Sequence, residues 1–276
     1  MATADISAKD VMALRQKTGL GMMDCKKALV ENGGDMAAAE AALRAKLKGK
    51  MDERTDRAAG EGRISIEVSG NGAAILEVRA ETDFTARNDS FIEMADNAAR
   101  ESIDQATGDG PTDIEFTDAM KAALDEVRIT TGENISFGKG IAFKGDSFGK
   151  YIHHDGKLGV LVQFDGAVPE DLATGICQHV AAHVPTPLAV DEHGLPSEIV
   201  EAKRAEATKE AMDLGKPEEI AGKIAEGKMR KFLEDNTLIG QKYVKLEKET
   251  VGQILPAGVK ILNFVRMRVG ADSTED

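Results

Sequence analysis

The order strand, tight glycine turn, strand, loop and helix occurs twice along this chain, and this repetition constrains the fold more than any other feature. The first unit spans residues 63–106, with Asn71-Gly72 marking its turn, and the second spans residues 151–184, with Asp155-Gly156 marking its turn. Asn-Gly and Asp-Gly between runs of strand residues are strong hairpin signals. The sequence therefore predicts an α+β core made of two related antiparallel halves.

The segments outside the two units favour helices. Three short helices are predicted before the first unit, and two charged, alanine-rich helices at 197–214 and 217–236 form a helical hairpin, expected to protrude as an arm. Further strand patterns occur at residues 135–137, 141–143, 237–246 and 259–269. The predicted domains are an N-terminal three-helix module (1–55), a first core half (56–145), a second core half (146–196 and 237–270) with the hairpin (197–236) inserted in it, and an acidic tail (271–276).

Charge limits the classes of partner. The chain has 276 residues, 42% of them hydrophobic and 30% charged, as is usual for a globular protein, and its net charge is -13. Contacts to phosphates need clustered Lys and Arg, so this balance argues against direct nucleic-acid binding. A basic run from Arg44 to Arg57 is the local exception, and we predict a solvated, flexible linker there.

Cysteine usage and the absence of apolar runs favour a cytoplasmic protein. Cys25 and Cys177 lie far apart and form no CxxC pair, which is typical of a reducing compartment. The first ten residues contain no apolar run of the signal-peptide kind, and no stretch reaches the length of a membrane span. Phosphate-loop and nucleophile-elbow motifs are also missing. The sequence thus predicts no membrane contact, no cofactor and no enzymatic activity.

A polar loop between a strand and a helix contains one large apolar side chain, Phe84. The loop reads ETDFTARND from Glu81 to Asp89. Apolar residues mostly lie inside proteins, so the pattern alone favours Phe84 folded back onto the core. The alternative is an anchor aimed at another molecule, because an aromatic residue within a polar rim is the usual form of an interface hot spot.

Two further residue pairs allow a structural and a functional interpretation. Met22 and Met23 follow a glycine turn and suit an adaptable binding surface, whereas the structural alternative packs one of them inside. His179 and His183 have the i, i+4 spacing of metal ligands on a helix. HVAAH lacks the glutamate of a metalloprotease motif and no third ligand lies nearby, so a core-facing or partly exposed pair is favoured over zinc.

Several long motifs resemble the family of bacterial translation elongation factors Ts. TGLGMMDCKKAL (18–29) and ETDFTARND (81–89) match the family most specifically, and HVAAHVPTPL (179–188), GKPEEIAGKIAEGKMRKF (215–232) and TVGQIL (250–255) agree in the same order. The resemblance covers essentially the whole chain. It implies an N-terminal module similar to ubiquitin-associated domains, followed by a core of two related halves with a helical hairpin.

The resemblance also implies a function and a set of contact residues. Members of this family are guanine-nucleotide exchange factors for the GTPase elongation factor Tu, and they are not enzymes. The residues that the resemblance assigns to displacing Mg²⁺ from the partner are Thr82, Asp83, Phe84 and Thr85. Those that it assigns to partner binding are Arg15, Met22, Met23 and His153. Some relatives extend into a further C-terminal helical module, whose contacts we expect this chain to lack.

Two other classes of function stay open at this level. The N-terminal module could serve as an adapter for ubiquitin-like or acidic partners, with the core as a scaffold. A metal-dependent hydrolase would use His179 and His183 to hold zinc. A homodimer formed through the helical hairpin is a further expectation.

Overall fold

A computed structural model describes residues 6–52, 55–108, 110–215, 217–246 and 248–271, with the side chains of residues 50 and 51 excepted. The predicted tail beyond residue 271 lies outside these ranges. The chain is an α+β protein with antiparallel sheets, as predicted. Within the described residues, no helix is long and apolar enough to cross a bilayer.

The N-terminal region consists of three helices, which confirms the prediction. They are α1 (Ala8–Thr18), α2 (Met22–Glu31) and α3 (Met36–Asp52). Ser7 caps α1 by accepting a hydrogen bond from the Asp10 N–H, and the Asp35 carboxylate accepts from the N–H groups of the first turn of α3. Leu14, Cys25 and Leu29 lie in the small core that the three helices enclose.

The prediction of a flexible linker at the basic run is wrong for residues 44–52. Helix α3 continues through them because a helix of the core, at Asp118–Thr131, supplies acidic partners. Arg44 pairs with Glu126, and Lys48 pairs with Asp125 at 2.7 Å. Such a partnership over a long sequence separation cannot be read from a local run of charge. Arg54, which also belongs to the run, lies outside the described residues.

The first core half is a sheet covered by helices on one face. Its elements are β1 (Glu61–Ser69), β2 (Gly72–Ala80), the one-turn α4 (Asp83–Ala86), α5 (Asp89–Ser102), β3 (Thr112–Asp113), α6 (Asp118–Thr131) and β4 (Ile135–Lys144), with strand order β1-β2-β4-β3. Two separate strands were predicted at 135–137 and 141–143, but β4 is one strand. A bulge opposite Glu77 keeps it paired with β2.

The second core half repeats this arrangement with fewer strands. Its elements are β5 (Ser147–Ile152), β6 (Leu158–Phe164), α7 (Glu170–Ala182), α10 (Val251–Ile254) and β7 (Ile261–Arg268), with strand order β5-β6-β7. In both halves a hairpin is followed by a helix that packs on it, and a later strand pairs antiparallel with the second strand of the hairpin. The predicted strand at 237–246 is wrong, since isolated bridges and turns occupy that segment.

The two sheets pack against each other through their inner faces. Along β2, Leu76 and Val78 point towards α5 and α6. Ala73 and Ile75 point to the other face, towards the second sheet. Leu161 of β6 points back into the same inner core. The result is a four-layer order of helix, sheet, sheet and helix, which buries β2 and β6 on both faces.

Helices α8 (Ser197–Asp213) and α9 (Glu218–Asn236) form the predicted helical hairpin. They pack on each other through small or flexible side chains, including Ala207, Ala211, Ala221 and Met229. The expected homodimer through this hairpin stays a prediction.

Candidate partner-binding surface

Residues 81–88 connect β2 to α5 and carry Phe84 on a single helical turn. The Thr82 hydroxyl caps this turn by accepting a hydrogen bond from the Thr85 N–H at 3.3 Å. Thr85 and Ala86 are buried beneath the turn, whereas Phe84 is 84% exposed. The pattern-based expectation that Phe84 folds onto the core is therefore wrong. At this turn the neighbouring Thr85 and Ala86 are buried in place of the ring.

Local capping separates this turn from the helix that follows. The Asn88 side chain accepts a hydrogen bond from the Ser90 N–H at 2.9 Å and starts α5. Asp83 and Arg87 form a partly exposed ion pair at 3.3 Å across the turn. An exposed pair of this kind contributes little to stability, so the carboxylate stays available to a partner.

Two carboxylates hold the turn in place by hydrogen bonds, and we call these contacts its braces. The Glu133 carboxylate accepts hydrogen bonds from the Thr82 hydroxyl at 2.6 Å and from the Thr82 N–H at 3.1 Å. Conversely, the Glu81 carboxylate accepts from the Asn134 N–H at 2.7 Å. The motif-based prediction missed Glu133 and Asn134, because more than 50 positions separate them from the residues of the loop that they bond and no local pattern marks them.

The segment that supplies the braces is a turn at the end of α6. Gly132 adopts φ 74° and caps this helix, with its N–H donating to the Arg128 carbonyl. The buried Asn134 side chain donates to the carbonyls of Thr55 at 3.0 Å and Arg57 at 2.7 Å. The same short turn therefore holds both the Phe84 loop and the chain that leaves the N-terminal helices.

The predicted N-terminal contact residues lie close to this turn. Met22 and Met23 are 45% and 76% exposed, so neither packs inside, and Arg15 is exposed as well. A Cβ atom built on Gly19, in the turn before α2, would lie 4.0 Å from the methyl group of Thr130 in α6. The glycine turn before α2 thus adjoins the same end of α6 as the Phe84 loop.

His153 reaches the same end of the molecule from the second half. It lies in the β5–β6 hairpin, where its ring bonds the Tyr151 hydroxyl at 2.8 Å. The carbonyl of Gly156 in this hairpin accepts from the Ile64 N–H of β1 at 2.8 Å. The first residue of β1, Glu61, pairs with Ala80, directly before the Phe84 loop. All three predicted contact segments therefore gather at one end of the molecule.

The histidine pair does not form a metal site. His179 is fully buried; its Nδ1 accepts from the Val244 N–H at 3.3 Å, so Nε2 donates to the Gln241 side chain at 3.0 Å. Burial lowers the pKa of His179 to about 4. His183 is partly exposed, and its ring bonds the Pro185 carbonyl. Among the described residues no group of three His, Cys, Asp or Glu could hold a metal ion, and the core-facing interpretation of His179 is confirmed.

Fold and surface together define a class: an α+β protein that presents an aromatic side chain on a braced turn at one end. Comparison with known proteins names the family. Residues 81–271 match the family described as Elongation factor TS. Elongation factor Ts of Alkalilimnicola ehrlichii is 38% identical over 277 positions, which cover 96% of this chain and 92% of that protein. The chain therefore belongs to the elongation factor Ts family.

Proposed function

We propose that this protein is a guanine-nucleotide exchange factor for the GTPase elongation factor Tu. The turn Thr82–Thr85 enters the partner's nucleotide-binding domain, and the Phe84 ring displaces the elements that hold Mg²⁺ and the phosphates. The observation that carries the proposal is the 84% exposure of Phe84 on a turn held by distant residues. An exposed, pre-positioned aromatic side chain within a polar rim is the usual form of an interface hot spot.

Exchange of this kind needs no covalent chemistry. A factor that binds the nucleotide-free GTPase more tightly than the loaded GTPase lowers the nucleotide affinity by the same ratio, because the two bindings are linked. Mg²⁺ neutralises phosphate charge, so displacing its ligands weakens the binding of both the ion and the nucleotide. The net charge of -13 favours a protein partner over nucleic acid.

The surrounding residues serve distinct roles in this proposal. Asp83 and Phe84 contact the partner, whereas Thr82 and the buried Thr85 shape the turn that presents them. Arg15, Met22 and Met23 dock the N-terminal module, which we propose to be similar to ubiquitin-associated domains. His153 adds a contact from the second half. Their location at one end of the molecule supports simultaneous engagement of one partner.

The test is the release of fluorescent GDP from elongation factor Tu at substoichiometric amounts of this protein. We expect catalytic acceleration from the wild-type chain. Phe84→Ala should lose most of it, since truncating an interface hot spot costs about 2 kcal/mol or more in the complex. Its melting temperature should stay at the wild-type value, because the ring makes little contact with the core.

Leu214→Ala is the matched control, because Leu214 is also an exposed apolar side chain, 57% accessible, but lies in the helical hairpin. It should exchange nucleotide like the wild type. If a folded wild-type chain does not accelerate GDP release, the exchange function is wrong and an adapter role becomes the better proposal. If Phe84→Ala is fully active, the exchange function survives but the role of the turn does not.

A further inference from the structure

The braces under the Phe84 turn continue the pairing of two strands after the backbone ladder has ended. The last pair between β2 and β4 is Ala80 with Ile135. In the same register, Glu81 would lie opposite Asn134, and Thr82 opposite Glu133. These are the residues that bond each other, but through side-chain carboxylates in place of backbone carbonyls. The two backbone segments can therefore move apart beyond the last ladder pair, because the carboxylates still accept hydrogen bonds from their N–H groups.

A relay of hydrogen bonds connects Glu133 to the orientation of Phe84. The Thr82 hydroxyl donates its hydrogen to Glu133 at 2.6 Å, which leaves its lone pairs free to accept from the Thr85 N–H at 3.3 Å. That second bond caps the turn in which Phe84 lies. Bonds to an ionised carboxylate are about twice as strong as neutral ones. The carboxylate thus fixes the hydroxyl in the rotamer that closes the turn.

We infer that Glu133 is a positioning residue for exchange: it pre-organises the Thr82–Thr85 turn so that Phe84 is already held outward before the partner arrives. The inference rests on the proposed exchange function. Glu133 itself need not touch the partner, because its two hydrogen bonds end on Thr82. Ordering a loop in advance removes an entropic cost from the step in which the loop acts.

Glu133→Gln tests the inference with minimal change of shape. In a glutamine held in the same position, one of the two carboxylate oxygens becomes an NH₂ donor, so only one of the hydroxyl and the N–H of Thr82 keeps its present acceptor. We expect the maximal rate of GDP release to fall about tenfold, which corresponds to the loss of one charge-assisted hydrogen bond. The half-saturating concentration should change less than twofold, because Met22 and Met23 are untouched.

Two comparisons distinguish a positioning role of Glu133 from a role in docking and from a general effect of lost charge. Met23→Ala should give the opposite split, with a higher half-saturating concentration and a nearly unchanged maximal rate. Glu101→Gln removes the same charge from an exposed position of α5 and should behave like the wild type. Thr82→Val removes the hydroxyl that donates to Glu133, so it should reproduce the effect of Glu133→Gln. A wild-type maximal rate for both Glu133→Gln and Thr82→Val would overturn the inference.

A second readout needs no partner at all. The chain contains no tryptophan, so Phe84→Trp places a unique fluorophore at the tip of the turn. Adding Glu133→Gln should speed its nanosecond anisotropy decay while the melting temperature stays the same. Unchanged decay would contradict the brace even if exchange falls. Conversely, faster decay in a protein that never accelerates GDP release would support the brace and refute the exchange function.

Discussion

The two core halves share one architecture but differ in the loop between the second hairpin strand and the helix. In the first half, residues 81–88 insert a helical turn and expose Phe84. In the second half, residues 165–169 run directly into α7, and their large apolar residue, Val168, packs against the core of that half. At equivalent places in the two halves, the apolar side chain thus points outward in the first half and inward in the second.

The attachments of the two loops explain this difference. Asp165 is bonded to Lys260 at the entry to β7 in both directions, at 3.1 and 2.6 Å, so the second loop is tied to its own sheet. The first loop is held by Glu133 through Thr82, and the side of the loop that carries Phe84 stays exposed. The repeated unit builds the core, and the function proposed here depends on the residues by which one copy departs from the other.

The largest effect should come from replacing the aromatic residue just beyond the first loop. Phe91, in the first turn of α5, is fully buried, so Phe91→Ala should lower the free energy of unfolding by about 3–5 kcal/mol. Denaturant titration measures this. Phe84→Ala, seven positions earlier, is the internal control, and equal destabilisation by the two variants would remove the distinction between an outward and an inward aromatic residue.

Acid should weaken the second half through His179. Its pKa is about 4 in the folded protein, lowered by burial, against about 6.5 in the unfolded chain. The unfolded chain binds the proton more readily, so the free energy of unfolding should fall as the pH drops from about 6.5 to about 4. The loss attributable to this group is about 3 kcal/mol.

Urea titrations between pH 7 and pH 4 measure this loss. Comparison with a variant that lacks the His179 imidazole separates its contribution to the unfolding free energy from that of the other titrating groups. His179→Gln should show a flatter dependence on pH, and His193→Gln, which changes an exposed histidine, is the matched control. An identical slope in all three proteins would show that His179 does not titrate between these limits.

A smaller effect tests the second loop itself. Val168 is partly buried, so Val168→Ala should cost about 1 kcal/mol of unfolding free energy, as expected for two methyl groups that are partly removed from water. GDP release should proceed at the wild-type rate. Thermal unfolding and the exchange assay on the same preparation provide both numbers. Slower exchange by this variant would mean that the second loop also takes part in the function.

Local signals in the sequence were sufficient for most of the fold. Ser7, Asp35 and Thr117 are of the residue types that favour helix N-caps, and each accepts an N–H of the first turn of its helix in the structure. The alternation of strand residues predicted both hairpins. Such signals operate within a few residues of each other, so they can be read along the chain.

The errors arose where distant residues decide the outcome. The basic run is helical because Arg44 and Lys48 find partners on α6. Residues 237–246 carry strand-forming residue types, but Gln241 there bonds the carbonyls of Pro185 and Asp235 and forms no ladder. The turn that carries Phe84 is bonded through Thr82 to Glu133, 51 positions away. No pattern along the sequence contains these pairings.

The pairing of β6 with β7 has a consequence for the order in which the chain is made. The first sheet is complete once residue 144 has been synthesised, but Gln163 of β6 must wait for Asn263 of β7, 100 positions later. Every residue of β6 is buried in the finished protein. Until β7 arrives, this strand is an apolar sheet edge open to pairing with other chains. A nascent chain interrupted before β7 is therefore an aggregation hazard, and rapid completion of synthesis protects it.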